Sequence, residues 1–102
     1  MNLLGIDVGT SCCKAAVFSE DGQLLGLAYE ENDYQRPQSG WAELDSLQVW
    51  RQVKRTIGQA VADAKSDPVE AVCVSSLGET VVPVTTDRKI LGPALLNFDV
   101  RG

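Results

Sequence analysis

The sequence contains no histidine, only three cysteines and no long apolar run, and each absence excludes a class of protein. Without histidine or a C-x-x-C spacing, the chain lacks the usual ligand pattern of a zinc site. The cysteines are odd in number and two are adjacent, so we expect Cys12, Cys13 and Cys73 to be small buried hydrophobic residues in a reducing compartment rather than a disulfide framework. No stretch approaches the roughly 20 apolar residues that span a bilayer, and no signal-peptide pattern is present. We therefore expect a cytoplasmic protein with no membrane partner.

Basic residues are also scarce. Nine Lys and Arg residues stand against 14 Asp and Glu residues, which gives a formal net charge of −5. Because nucleic-acid binding relies on clustered Lys and Arg, we expect no nucleic-acid partner. The one basic cluster, Arg51, Lys54 and Arg55, lies on a predicted helix and is interpreted as its solvated face. With 102 residues, 44% of them hydrophobic, the chain is typical of at most one small globular domain.

The most informative segment lies near the N-terminus, where an apolar run leads a carboxylate into a turn of glycine and hydroxyl residues. Residues 3–6 predict a short buried strand, and Asp7 lies at its end. Gly9 allows a sharp turn and lets a phosphate approach the following amides, while Thr10 and Ser11 add hydroxyl donors. An ionised Asp would repel a bare polyphosphate but suits one that carries Mg²⁺. The pattern therefore indicates a site for phosphate and metal.

An ordinary hairpin turn is the alternative interpretation of this segment, because Asp, Gly, Thr and Ser are all common turn residues. Residues 12–18 alternate in character as in a second strand, which would carry Lys14 back toward a terminal phosphate. Residues 20–23 then predict a turn, and residues 24–31 predict a third strand antiparallel to the second. Residues 32–40, which include a proline and a glycine, predict a surface loop.

A helix is predicted after this loop. Asp45 is expected to be its N-cap, and Ser66, Asp67 and Pro68 are expected to end it. Trp50 follows the helical period and is predicted to be a core residue. The apolar residues that define the period are Leu47, Trp50, Val53, Ile57, Ala60 or Val61, and Ala64.

Two further segments are rich in β-forming residues. Residues 69–75 are nearly continuous in Val, Ala and Cys, which predicts a central strand, parallel to the first and covered on both faces. Residues 80–86 contain Pro83, which restricts them to an edge or a bulge, and residues 87–89 predict a turn. The predicted order is three strands, a crossover helix and a parallel strand, which is an α/β arrangement.

This order, together with the D-x-G-T turn, resembles the start of the ribonuclease H-like (actin-like ATPase) fold, as a partial domain with an antiparallel three-stranded meander. Within that group the chain is similar, over essentially all 102 residues, to the N-terminal domain of the FGGY-type carbohydrate kinases, such as xylulokinase and glycerol kinase. The matching positions are Gly5 to Ser11 with Lys14, then Gly40, Trp41, Glu43, Asp45 and Trp50, then Val74 to Ser76, and finally Phe98, Asp99 and Arg101.

The resemblance implies ATP-dependent phosphorylation of a hydroxyl group on a sugar or polyol, with a pentulose such as xylulose favoured. By similarity, Asp7 would help to hold Mg²⁺, Gly9, Thr10 and Ser11 would contact the ATP phosphates, and Lys14 would lie near the γ-phosphate. These residue types suit phosphoryl transfer, which depends mainly on positioning and on neutralising negative charge.

By the same resemblance, Gly78, Glu79 and Asp99 would contact the substrate. For Glu79 the alternative is a solvated loop carboxylate, and for Asp99 with Arg101 it is an exposed ion pair. Trp41 would either border the sugar site or pack over the start of the helix.

The chain also departs from the family pattern. Family members usually carry Gln and a bulkier residue where this chain has Leu77 and Gly78, and Trp where it has Asn97, which leaves the substrate open. The resemblance places the catalytic base, an Asp, and the adenine-binding domain beyond Gly102. We therefore expect residues 1–102 to be the N-terminal portion of an FGGY kinase N-terminal domain, inactive alone, with exposed sheet edges that favour a homodimer.

Two other functions are compatible with the same fold group. One is a non-catalytic nucleotide-binding or interaction module of the actin-like ATPase fold, which would not turn over ATP. The other is a ribonuclease H-like nuclease, which needs several carboxylates around two metal ions. The sequence locates only one carboxylate, Asp7, at the candidate metal site.

Overall fold

The computed structural model describes residues 1–65 and 68–101. Its elements in chain order are β1 (Asn2–Val8), β2 (Cys12–Ser19), β3 (Leu24–Glu31), β4 (Glu43–Leu44), α1 (Ser46–Ala64), β5 (Val69–Ser76) and β6 (Ala94–Leu95). Four strands form one sheet in the order β3-β2-β1-β5, and β4 pairs with β6 in a small second sheet.

The large sheet has the predicted strand directions. β1 is antiparallel to β2, β2 is antiparallel to β3, and β5 runs parallel to β1. The turn between β2 and β3 is closed by Gly22, whose φ of 87° suits a residue without a Cβ. The meander, the crossover helix and the parallel strand are thus confirmed.

One face of the sheet packs against α1. Alternate residues of the strands point to this face, and they are buried together with Val53 and Ala60 of the helix. The strand residues of this core are Leu4, Ile6, Cys13, Ala15, Val17 and Ala28. At Gly26 of β3 the helix comes so close that a Cβ would lie 2.1 Å from the carbonyl oxygen of Ala60.

The start of α1 follows the prediction. The Asp45 carboxylate accepts hydrogen bonds from the amides of Leu47 (2.9 Å) and Gln48 (3.2 Å), which confirms it as the N-cap. The helix ends at Ala64, and Lys65 adopts a left-handed conformation with φ 45°. Of the predicted stop signal, Ser66 and Asp67 lie outside the described residues. No described helix is long and apolar enough to cross a bilayer.

The buried face of α1 includes the predicted Val53 and Ala60 but differs from the prediction in the first turns of the helix. Trp50 is 57% exposed, so its predicted place in the core is wrong. The residues that are buried instead include two polar ones, Gln52 and Thr56. Gln52 is held inside because its Nε2 donates to the carbonyl of Glu31 (2.8 Å), and Thr56 because its hydroxyl donates to the carbonyl of Gln52 (2.8 Å). Polar residues can therefore be buried when they are hydrogen-bonded, and a prediction that considers only apolar residues misses them.

β5 lies at the edge of the sheet, so the prediction of a central strand covered on both faces is wrong. Val72 and Val74 are 60% and 59% exposed, because α1 lies over β2 and β3. The prediction for the cysteines is wrong in part for the same reason. Cys13 is buried in the core, but Cys12 is half-buried and Cys73, on β5, is exposed.

The segment after β5 contains bridges rather than a regular strand. Val81 pairs with Leu95 and Val84 with Ile90, in agreement with the restriction that Pro83 imposes. The turn predicted at residues 87–89 lies one residue earlier, at residues 86 and 87, where the Arg88 amide donates to the Thr85 carbonyl (3.0 Å). A second small core forms where this region meets β4 and β6, from Ala42, Leu44, Ala94 and Leu96.

Candidate functional site

The turn between β1 and β2, residues 9–11, is the phosphate-loop candidate and is called the 9–11 loop below. The Gly9 amide donates to the carbonyl of Cys12 (2.9 Å), and a Cβ on Gly9 would lie 3.1 Å from that oxygen. The amides of Thr10 and Ser11 donate to no acceptor within residues 1–65 and 68–101. Two neighbouring backbone donors are thus available to a ligand at this loop.

Charged side chains lie beside the loop in one row across the sheet. Asp7 of β1 is directly opposite Lys14 of β2, and the row continues to Tyr29 of β3 and Ser75 of β5. Residues directly opposite each other on neighbouring strands point to the same face. The row lies on the face away from α1, since Ile6 and Cys13, the sequence neighbours of Asp7 and Lys14, are in the helix-side core.

Asp7 and Lys14 are both exposed, and neither forms an ion pair in the part of the chain that the structure describes. Lys14 lines two open depressions. One, of about 350 Å³, is also lined by Asp7 and Ser75, and the other, of about 440 Å³, by Ser11 and Asn32. The structure therefore leaves both charges free for a ligand on this face.

The chemistry of these groups fits a nucleotide that carries Mg²⁺. No cluster of three or more Cys, Asp or Glu side chains among the described residues could hold a metal ion by itself. Mg²⁺ does not need such a cluster, because it is commonly held by one or two carboxylates together with water and substrate phosphates. Asp7 supplies one carboxylate next to the donors of the 9–11 loop.

The predicted substrate residues Gly78 and Glu79 lie in the loop that follows β5. The amide of Leu77 donates to the carbonyl of Val8 (3.1 Å), which fixes the start of this loop to the end of β1. Because β1 and β5 are parallel, the loops that follow them leave the same edge of the sheet. Glu79 is exposed at this edge, and its contact with substrate stays a prediction.

Asp99 is buried, with 0% of its side chain exposed. Its Oδ2 accepts hydrogen bonds from the Ala42 amide (2.7 Å) and from Arg101 Nη2 (2.6 Å). Its Oδ1 accepts from the amide (2.8 Å) and Nε (2.9 Å) of Arg101. Asp99 and Arg101 do form an ion pair, but the Asp99 carboxylate is buried rather than exposed. A direct contact between Asp99 and substrate stays a prediction.

Arg101 extends this cluster to the segment that precedes α1. Its Nη2 also donates to Glu43 (2.7 Å), and its guanidinium lies 3.6 Å from the centre of the Trp41 ring. Hydrogen bonds from Arg101 hold the pKa of Asp99 well below its usual range, and the same bonds raise the pKa of Arg101. The guanidinium group of Arg101 thus joins two of the segments that carry the family resemblance, the one with Trp41 and Glu43 and the one with Asp99.

Sequence reasoning misses Asn32, which it assigns only to a surface loop. The Asn32 side chain reaches the 9–11 loop, which lies 22 to 23 residues earlier in the chain. A hydrogen bond over this separation depends on the pairing of β2 with β3, and the sequence near Asn32 carries no local signal for it.

Comparison with known proteins extends these observations. Residues 2–102 match the family model described as the FGGY family of carbohydrate kinases, N-terminal domain. Among curated proteins, a glycerol kinase from Acinetobacter baylyi is 35% identical over 103 residues, which cover 97% of this chain and 21% of that protein.

Solved structures give the same result for the fold. A xylulose kinase from Rhodospirillum rubrum superposes with a TM-score of 0.91 at 22% identity, covering 97% of this chain and 21% of that one. A protein described as a xyloylose kinase from Brucella ovis superposes with a TM-score of 0.86 at 28% identity, covering 99% and 21%. The predicted ribonuclease H-like (actin-like ATPase) fold, as a partial domain, is confirmed. The chain spans about a fifth of the length of these proteins.

Proposed function

Because this chain belongs to the FGGY family of carbohydrate kinases, we propose that the protein carrying it transfers the γ-phosphate of ATP to a hydroxyl group of a sugar or polyol. By the same proposal, residues 1–102 are the N-terminal portion of its N-terminal domain and are inactive alone, because the rest of the protein would supply the catalytic base and the adenine-binding domain. The observation that carries the proposal is the placement of Asp7 and Lys14, both unpaired among the described residues, beside the free amides of the 9–11 loop.

Each of these groups has a separate role in the proposed reaction. The amides and hydroxyls of Thr10 and Ser11 donate to phosphate oxygens, and the Lys14 ammonium lies near the γ-phosphate and offsets its charge. The Asp7 carboxylate would help to hold the Mg²⁺ that accompanies the nucleotide. Bound Mg²⁺ supplies neutralisation of the phosphate charge. The chain thus holds the nucleotide phosphates at the edge of the sheet where the Gly78 and Glu79 loop begins.

The substrate side is proposed to involve Gly78 and Glu79, with Asp99 holding the neighbouring segment. A carboxylate such as that of Glu79 can accept hydrogen bonds from two hydroxyl groups, which suits a sugar or a polyol. We propose a pentulose such as xylulose, in line with the protein from Brucella ovis. Glycerol is the second candidate, in line with the relative from Acinetobacter baylyi.

The test is ADP release by the full protein that contains this chain, with xylulose and with glycerol as acceptors. Asp7→Asn and Lys14→Met should each lower kcat/KM by about 10²-fold, because Asp7 would help to hold the Mg²⁺ and Lys14 would offset the phosphate charge directly. Asp63→Asn and Lys54→Met are matched controls on α1, which covers the opposite face of the sheet, and should retain activity.

Nucleotide binding without sugar-dependent ADP release would contradict the kinase proposal. That result would favour the alternative, a non-catalytic nucleotide-binding module of the same fold. Release that depends on glycerol but not on xylulose would contradict only the choice of a pentulose.

The proposal includes a cytoplasmic homodimer that binds no nucleic acid. It is supported by the exposed edge of β5, with Val72 and Val74, and by the net charge of −5. Light scattering of the 102-residue chain during size exclusion should give twice the mass of one chain. A monomer at all concentrations would contradict the dimer.

A further inference from the structure

Asn32 donates hydrogen bonds to three consecutive carbonyl groups of the 9–11 loop. Its backbone amide donates to the carbonyl of Ser11 (2.8 Å), and its Nδ2 donates to the carbonyls of Gly9 (2.6 Å) and Thr10 (3.0 Å). A side-chain amide carries two N–H groups, so both of the latter bonds can form together. A single residue at the end of β3 therefore fixes the whole loop from one side.

These bonds also determine where the loop amides point. In a planar trans peptide the C=O and N–H groups point in opposite directions, and no peptide bond among the described residues is cis. Holding the carbonyls of Gly9 and Thr10 toward Asn32 therefore directs the amides of Thr10 and Ser11 away from it. Those are the two amides that have no acceptor in the described part of the chain. Neighbouring amides that point to one side form an anion-binding concavity.

The side-chain oxygen of Asn32 makes no hydrogen bond within the described residues, so this side chain acts through its two N–H groups. Oδ1 of Asn32 is buried and has no hydrogen-bond partner among the described residues. An unpaired buried acceptor carries a desolvation cost, which an apolar side chain of similar size would avoid. The reverse orientation of the amide would place Oδ1 against two carbonyl oxygens. The two donations to the loop are thus the feature that an apolar residue could not supply.

We propose that Asn32 is a positioning residue, which orients the Thr10 and Ser11 amides toward the phosphate groups of a bound nucleotide. The inference rests on the proposed function and deepens it. Asn32 acts through the loop, since its hydrogen bonds go to the loop carbonyls, on the side opposite to the free amides.

The test compares Asn32→Leu with Thr56→Val in the full protein. Thr56 is the control, because it is a buried polar residue of α1 whose hydroxyl donates to the carbonyl of Gln52, away from the loop. Calorimetric titration with MgADP measures the Kd, and thermal unfolding measures stability. Asn32→Leu should raise the Kd about ten-fold and still unfold in one cooperative transition. Thr56→Val should leave the Kd unchanged.

A steady-state measurement separates positioning from a general loss of structure. In Asn32→Leu the KM for MgATP should rise about ten-fold, while the KM for the sugar stays unchanged. If Asn32→Leu fails to fold, Asn32→Ser provides the same test, since a serine hydroxyl is too short to replace both Nδ2 bonds.

The outcomes distinguish this inference from the proposed function. An unchanged Kd for MgADP in the Asn32 variant, with normal binding by the unmodified protein, would overturn the role of Asn32 and leave the kinase proposal intact. No MgADP binding by the unmodified protein would contradict the proposed function, and the role of Asn32 would fall with it.

Discussion

At the scale of single residues, a few buried polar groups hold together segments that are distant in the sequence. Arg101 bonds both Asp99 and Glu43, which lies 58 residues earlier, and it covers one face of Trp41. Asp99 in turn accepts a hydrogen bond from the amide of Ala42. A carboxylate whose oxygens are all bonded to donors of the protein is expected to organise the segment around it, here the strands β4 and β6 and their flanks.

This arrangement predicts a pH-dependent effect of Asp99→Asn. Hydrogen bonds from Arg101 hold the folded-state pKa of Asp99 well below the unfolded value of about 4. The carboxylate therefore stabilises the folded state above about pH 4, and this stabilisation is lost as the pH falls through and below that value. Asp99→Asn should lower the thermal midpoint near neutral pH, and the difference from the unmodified protein should shrink below about pH 4.

Circular dichroism melts across this pH range provide the measurement for Asp99→Asn. Asp63→Asn, an exposed substitution on α1, should show little effect at any pH. A difference for Asp99→Asn that is equally large in acid and near neutral pH would argue against stabilisation by the ionised carboxylate.

At the scale of elements, the packing of α1 on β3 sets the geometry of the sheet that carries the site. The helix backbone reaches β3 at Gly26, where a Cβ would lie 2.1 Å from the Ala60 oxygen and 2.8 Å from the Ala64 nitrogen. Both atoms belong to the helix backbone, which cannot turn aside as a side chain can. β3 ends in Glu31, next to Asn32, so the position of this strand bears on the 9–11 loop.

Gly26→Ala is expected to destabilise the protein by about 1–3 kcal/mol, as overpacking of a close contact usually does. Gly5→Ala is the matched control on β1, because a Cβ there would meet nothing within 4 Å. Chemical denaturation of the two variants measures the effect. Equal free energies of unfolding for both variants would show that α1 can move away from β3 at little cost.

At the scale of the whole molecule, the sheet is covered on one face over three strands and is open elsewhere. The face with Asp7 and Lys14 is open, as the binding of a nucleotide requires. β5 is also open on its helix side, beside an apolar depression of about 420 Å³ that Trp50 and Val74 line. The molecule thus has two charged groups, Asp7 and Lys14, on one open face, and an apolar open edge at β5.

The open edge predicts the reactivity of the cysteines in the 102-residue chain. Cys73 lies on β5 and is exposed, whereas Cys13 is buried and its burial raises the pKa of its thiol. Since the thiolate is the reactive form, iodoacetamide should modify Cys73 first and Cys13 last. Peptide mapping by mass spectrometry follows each site. Modification of Cys13 as fast as Cys73 would be incompatible with this packing.

The sequence by itself determined the features that depend on neighbouring residues. The alternation of residues in β1, β2 and β3 defined the meander, and Asp45 defined the start of α1. The segment from Asp7 to Ser11 indicated a phosphate loop because carboxylate, glycine and hydroxyl groups are adjacent in the chain. Each of these signals is local, so a single segment is enough to reveal it.

Only the tertiary structure decided which surfaces are covered and which distant groups meet. The exposure of Trp50 and Val74 depends on where α1 lies on the sheet, and hydrophobicity shows that a residue is suited to burial without showing what covers it. The burial of Asp99 depends on Arg101 and on the Ala42 amide, and the contact of Asn32 with the 9–11 loop depends on strand pairing. Contacts between segments that are far apart in the chain leave no periodic signal in the sequence, because they arise only when the strands and the helix have packed together.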